Sequence, residues 1–243
     1  MRNLMARLLT RRALARTALV TLAAGAIVAG LGGTANAAVS GHVTGAQNVV
    51  VQSAPKVSSV NVDTAAAGST VSIKCRTSGQ EMSGTYGTSK TWYLVGKGGF
   101  VPAAKVKAAS TPGACPYAGS PPRANPRSMD NAISAAFGKR GSTGYENLCL
   151  RFTALMYGWS YSGWNTAEIG GDYMVSHGRM KSGVPPRGAL VWYHNSAGTG
   201  HVAISIGDGK VIGTSVNGRV GVAGYKAHAS YRGWSTPYYP AAG

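Results

Sequence analysis

Two residues of this chain carry side chains suited to attacking a carbonyl with sulfur. They are Cys149, in Gly144-Tyr145-Glu146-Asn147-Leu148-Cys149-Leu150-Arg151-Phe152, and His201, in Gly200-His201-Val202-Ala203-Ile204. A sulfur nucleophile needs its thiolate and a neighbouring base that makes the thiolate and later returns the proton. The pair lies 52 positions apart, so only the fold can join them. Each also has a plainer role when taken singly. A lone cysteine is most often a small buried hydrophobe, and a histidine after Gly198-Thr199-Gly200 is a polar residue opening a strand.

The elements that must position them follow from pattern. A helix over about residues 145–157, ending at Gly158, places Leu148, Phe152 and Leu155 on one apolar stripe and Tyr145, Cys149, Phe152 and Met156 on the next. Cys149 then falls in about the second turn, near backbone N–H groups that favour both a thiolate and an oxyanion. Before it, Ser128 caps a helix with Met129, Ala132, Ile133, Ala136 and Phe137 at three- and four-residue spacing, stopped by Gly138. A third helix over 166–175 is weakened by Gly170 and Gly171. After Pro185-Pro186-Arg187-Gly188 the pattern changes to strands at 189–194, 201–206, 211–216 and 219–223, with Asp208-Gly209 and Asn217-Gly218 as hairpin turns. Helices followed by an antiparallel meander make residues 126–243 an α+β domain.

Residues 38–110 read differently. Short runs rich in Val, Ile, Thr, Tyr and Trp at 49–52, 69–74, 91–95 and 100–101 alternate with Gly68, Gly79, Gly84, Gly87 and Gly98, with no helical period. A small all-β barrel is the simplest architecture. Residues 111–125, rich in proline, form a semi-rigid linker between the two domains.

Upstream, residues 1–37 have the three-part layout of a secretory signal peptide: an arginine-rich head, an apolar stretch over 17–31 and Ala35-Asn36-Ala37 as the cleavage site. The apolar stretch is shorter than the roughly 20 residues a membrane span needs. Thr10-Arg11-Arg12 fits a twin-arginine route as well as the general one. The leader holds five of the 24 basic residues and none of the seven acids, so the remainder carries +12. Such charge on an exported chain points to polyanionic partners, and for a bacterial product these are wall polymers, acidic peptide stems or anionic lipid. Nucleic acid, the other usual partner, is disfavoured by export. An oxidising destination also bears on the three cysteines. Cys75 and Cys115 are the natural disulfide, which leaves Cys149 as the odd thiol.

Two resemblances add to this reading. Asn48-Val49-Val50-Val51-Gln52-Ser53-Ala54-Pro55, Ala67-Gly68-Ser69-Thr70-Val71 and the run from Thr85 to Trp92 resemble the bacterial SH3-like wall-binding domain, with Gln52 and Ala54 departing from its usual arginine and glycine. That implies a ligand groove, with Tyr86, Trp92, Tyr93 and Phe100 as aromatic candidates shared with the core. The strings around Cys149, Pro186-Arg187-Gly188-Ala189-Leu190-Val191 and Gly200-His201-Val202-Ala203-Ile204 resemble secreted cysteine peptidases and amidases of the NlpC/P60 and CHAP type. The resemblance implies a papain-like α+β fold, with Cys149 as nucleophile and His201 as base in the cleavage of peptidoglycan amides.

Two positions depart from the pattern. The neighbours of Cys149 are Leu148, Leu150 and Arg151 rather than Asp, Ser and Gly, and the position twelve residues after the base is Gly213, which has no side chain to orient His201. A three-residue turn puts Ser215 opposite His201, a two-residue turn brings Thr214 to that face, and a CHAP-like alignment offers Ser215 and Asn217. Ser215 is the preferred third member, since Asn217 precedes Gly218 in a turn. No His-Glu-x-x-His spacing supports a zinc site, so neither metal nor other cofactor is expected. Glu146, Glu168 and Asp172 show no pairing suited to glycan cleavage. The expectation is a monomeric, secreted or wall-associated peptidoglycan hydrolase without a stable membrane anchor. The rival is a non-catalytic wall-binding protein on a degenerate peptidase scaffold.

Overall fold

The computed structural model describes residues 37–96, 98–119, 121–228, 230–240 and 242. The expected leader at 1–37 lies outside them but for Ala37.

Seven antiparallel strands build the first half: β1 (Val39–Val43), β2 (Val49–Gln52), β3 (Asn61–Ala65), β4 (Thr70–Gly84), β5 (Gly87–Val95), β6 (Gly99–Pro102) and β7 (Val106–Ala108). Their order is β3-β2-β6-β5-β4-β1-β7. The sheet curls, because Val62 and Ala65 from one edge strand share a core with Val106 from the other. Register shifts in β4 between Ile73 and Cys75 and between Ser78 and Met82 bend the long strand round. Trp92 and Phe100 are fully buried in this half, while Tyr86 is exposed. The first two are therefore core residues rather than groove candidates. Tyr86 and Tyr93 line a shallow groove with Arg76 and Lys107.

The second half has three helices and a five-stranded antiparallel sheet. Helix α1 (Met129–Phe137) starts where the Ser128 hydroxyl accepts from Asn131 N–H. Helix α2 spans Cys149–Met156, and α3 (Ala167–Ser176) is capped by Thr166. Strands β8 (Leu190–Tyr193), β9 (His201–Gly207), β10 (Lys210–Val216), β11 (Arg219–Gly224) and β12 (Tyr231–Ser235) lie in the order β11-β10-β9-β8-β12. Asp208-Gly209 and Asn217-Gly218 both take positive φ, as two-residue hairpin turns require. One sheet face, with Leu190, Trp192, Val202, Ile204 and Ile212, packs in the main core with α1 and α2 residues. The other carries a smaller cluster of Val191, Tyr193, Ala203 and Val211.

The described residues form one compact unit. Residues 111–125 are strapped to both halves: Ala114 bridges Arg76, Cys115 pairs with Cys75 at a Cα separation of 4.8 Å, and Tyr117 bridges Arg187. Arg187 is 1 % exposed and joins the halves through its fork of donors. Its Nε donates to Asp130 at 2.8 Å, and its terminal nitrogens donate to the carbonyls of Ser53 at 2.6 Å, Gly98 at 3.1 Å and Ile206 at 2.8 Å. Asp130 also accepts from the Tyr117 hydroxyl at 3.0 Å. Burial, then the Asp130 charge, push the Tyr117 phenol up to about 12, so it stays a donor.

Candidate active site

Cys149 is the first residue of α2, not a member of its second turn. The reason is Asn147, whose left-handed backbone (φ 59°) breaks the helical path two residues earlier. Tyr145 still packs edge-on against Phe152, with ring centroids 5.2 Å apart, so the apolar spacing is met without helix. Leu148, at the N-cap, supplies no side-chain hydrogen bond and is 40 % exposed. The first-turn N–H groups are thus left for a group in front of the helix.

His201 opens β9, paired across the sheet with Tyr193 of β8. Cys149 and His201 line one open cleft of about 1280 Å³, shared with Arg151, Trp164, Ser215 and His228. The ionisable nitrogen-bearing side chains lining that cleft are Arg151, His194, His201 and His228, and two carboxylates stand directly behind its lining, Glu146 against Ser215 and Glu168 against His194. The main-chain N–H of Val202, directly after His201, is directed at the Cys149 sulfur, as are those of Leu150 and Cys149 itself. These groups favour the thiolate, yet burial outweighs them, and with a smaller push from Glu146 the thiol ends above its ordinary value. Burial, and then the neighbouring His228, lower His201 to about 4. At rest both groups are therefore uncharged, a neutral thiol and a neutral imidazole lining the same cleft.

Ser215 lies in the same cleft, but its hydroxyl donates to Glu146 Oε1 at 2.7 Å rather than to His201. The register between β10 and β11 shifts between Gly213 and Val216, and Ser215 has a left-handed φ of 62°. This bulge turns the side chain toward the loop before α2. Thr214 has its hydroxyl buried without a partner. A Cβ built at Gly213 would sit 3.9 Å from His201 Nε2, which is itself buried and without a hydrogen-bond partner. The position that faces the ring is thus the one lacking a side chain.

Two groups escaped sequence reasoning. His228, between β11 and β12, lies with its ring centroid 4.4 Å from that of His201; nothing in its local sequence marks it. At the other wall, Glu168 of α3 accepts from His194 Nδ1 at 2.7 Å and from Arg232 at 3.0 Å, and Arg232 also pairs with Asp172. The carboxylates of α3 therefore tie that helix to β12. Among the described residues, no group of three or more His, Cys, Asp or Glu could hold a metal ion, and no helix is long and apolar enough to cross a membrane.

No protein-family model matches the chain, and no curated protein matches it. Solved structures similar to it include two NlpC proteins. NlpC2 from Trichomonas vaginalis is 14% identical over 82% of this chain and 72% of its own, with a TM-score of 0.33. NlpC1 from the same organism is 15% identical over 83% and 69%, with a TM-score of 0.32. Likeness at this level assigns neither fold nor activity.

Proposed function

We propose that this chain is a secreted peptidoglycan hydrolase that cleaves wall-peptide amides through Cys149 and His201. On this reading residues 126–243 are a papain-like domain of the NlpC/P60 or CHAP type, and residues 38–110 are an SH3-like wall-binding domain. Residues 111–125 connect them, and residues 1–37 are removed on export. The observation that carries it is the meeting of an uncapped helix start and a strand start at one sulfur: the N–H groups of Cys149, Leu150 and Val202 converge where His201 opens β9. Arg151 in the cleft and the +12 charge suit a substrate bearing carboxylates or phosphodiesters.

The chemistry follows from a neutral resting pair. As the thiol adds to an amide carbonyl, its proton passes to His201, and the oxyanion that forms is met by the converging N–H groups. Collapse breaks the C–N bond, and the amine leaves with the proton held by His201. Water, deprotonated by the same imidazole, then hydrolyses the thioester and frees Cys149. The cost of charging a buried pair falls on the reacting complex.

The test is digestion of purified peptidoglycan with products read by mass spectrometry. Wild-type protein is expected to release new amino termini, and Cys149→Ala to release none while still pelleting with the wall. Equal digestion by Cys149→Ala refutes the mechanism. One observation favours the rival, a wall-binding protein without activity: His201 Nε2 has no hydrogen-bond partner and faces Gly213. Pelleting without digestion by wild-type protein selects it.

A further inference from the structure

A base that accepts a proton and gives it up again must keep one ring orientation, and a third polar group usually holds it through a hydrogen bond. Here that bond is missing: Ser215 is engaged by Glu146, Gly213 has no side chain, and His201 Nε2 is sealed without a partner. We propose that His228 is the positioning residue for His201, holding the imidazole by ring-face contact in place of the absent hydrogen bond. The inference rests on the reading of Cys149 and His201 as the reacting pair.

The geometry favours face contact. The two ring centroids are 4.4 Å apart with the ring planes tilted by 34°, an arrangement nearer to face contact than to a perpendicular edge-on one. The Nε2 of His228 is likewise buried and unpartnered. Tyr193 completes a bracket, its ring centroid 5.7 Å from His201 and 5.1 Å from His228. Tyr193 is itself fixed, because its hydroxyl donates to Tyr225 O at 2.8 Å. Rotation of His201 away from its rotamer would have to displace one of these rings.

Topology puts His228 there. Strands β11 and β12 occupy opposite edges of the sheet, so the connection between them must cross β10, β9 and β8. It is tied near one end by Tyr225 N–H to Gly209 O at 2.9 Å and at the other by His194 N–H to Ser230 O at 3.0 Å. Between these anchors the chain passes over the start of β9. His228 opposes the charging of His201, so its part is to hold the orientation of the ring rather than to stabilise the imidazolium. Face contact needs a ring, whereas a hydrogen-bonded third member would need an acceptor, and this difference makes the proposal testable.

The experiment compares the full-length exported protein with His228→Ala, His228→Phe and His228→Gln. Initial rates are measured on purified peptidoglycan, and the nitrogen chemical shifts of the His201 ring by NMR. His228→Ala is expected to lower kcat about 100-fold, the size of loss that follows a small misplacement of a reacting group, with KM within about twofold. His228→Phe is expected to recover kcat to within about tenfold of wild type, and His228→Gln to stay low. Unchanged kcat in His228→Ala, or recovery by Gln and not by Phe, overturns the proposal. Should the Ala variant not fold, the Phe against Gln comparison decides the same question. The NMR readout separates this inference from the hydrolase reading. If wild-type protein digests nothing, that reading fails, while a single His201 tautomer that becomes averaged in His228→Gln still supports the positioning role. A tautomer identical in wild type and His228→Gln refutes it.

Discussion

Replacing Arg187 by Met tests whether the two halves are held as one body. The guanidinium is 1 % exposed and satisfies one carboxylate and three main-chain carbonyls, drawn from residues 53, 98, 130 and 206. Met fills most of the space but offers no donor. Removing one partner of a buried ion pair commonly costs about 3–5 kcal/mol, because the remaining charge loses its compensation. Asp130 keeps Tyr117 as a donor and is 24% exposed on its side chain, which places the carboxylate share at the lower end. The three carbonyls add roughly 1 kcal/mol each for lost hydrogen bonds, so with about 3 kcal/mol for the carboxylate a total near 6 kcal/mol is expected. Urea unfolding followed by tryptophan fluorescence measures it. With a slope of about 2 kcal/mol per molar urea, the midpoint should fall by about 3 M. Trp92 reports on the first half and Trp192 on the second, so loosening of the junction would also split one transition into two. Arg187→Lys should lose more than half as much stability as Met, since a single ammonium cannot reach four acceptors. A loss below about 1 kcal/mol with one unchanged transition would refute the argument.

Two further outcomes follow. Replacing both Cys75 and Cys115 by Ala, which opens a loop with a sequence separation of 40, should lower stability by about 4 kcal/mol on the chain-entropy account, read as a shift in the same urea midpoint. For pH, His201 is lowered to about 4 in the folded chain from an ordinary 6.5. The unfolded state therefore binds the extra proton first, and stability is lost as pH falls from about 6.5 toward 4, by at most about 3 kcal/mol. His228, also lowered by burial, acts in the same direction. The difference in unfolding free energy between wild type and His201→Gln, followed over that range, should narrow as pH falls; a constant difference would contradict it.

What the sequence made legible was set by how local each determinant is. Strand β2 announces itself in Val49-Val50-Val51, and helix α1 in its Ser128 cap and Gly138 stop. Strands β1, β3 and β7 do not announce themselves, because they are short and contain Gly, Asp or Lys; their extended form is stabilised by neighbours, such as β1 lying between β4 and β7. The start of α2 was misplaced because Tyr145 obeys the helical spacing as a packing partner of Phe152 while Asn147 departs from the helical backbone. Ser215 was placed on the correct strand, yet its direction depends on a bulge and a left-handed φ that no spacing encodes. His228 depends on strand order, which is further still from the local sequence.

Strand β8 shows why these levels are not independent. Just before it, Arg187 is bonded to the Ser53 and Gly98 carbonyls of the first half, and at its end Tyr193 stands opposite His201. The strand is only four residues long and lies hydrogen-bonded between β9 and β12. A shift along its axis would break the Arg187 bonds and carry the Tyr193 ring off the His201 imidazole together, and a one-residue slip would exchange its two buried faces. The first half is thereby mechanically part of what holds the imidazole.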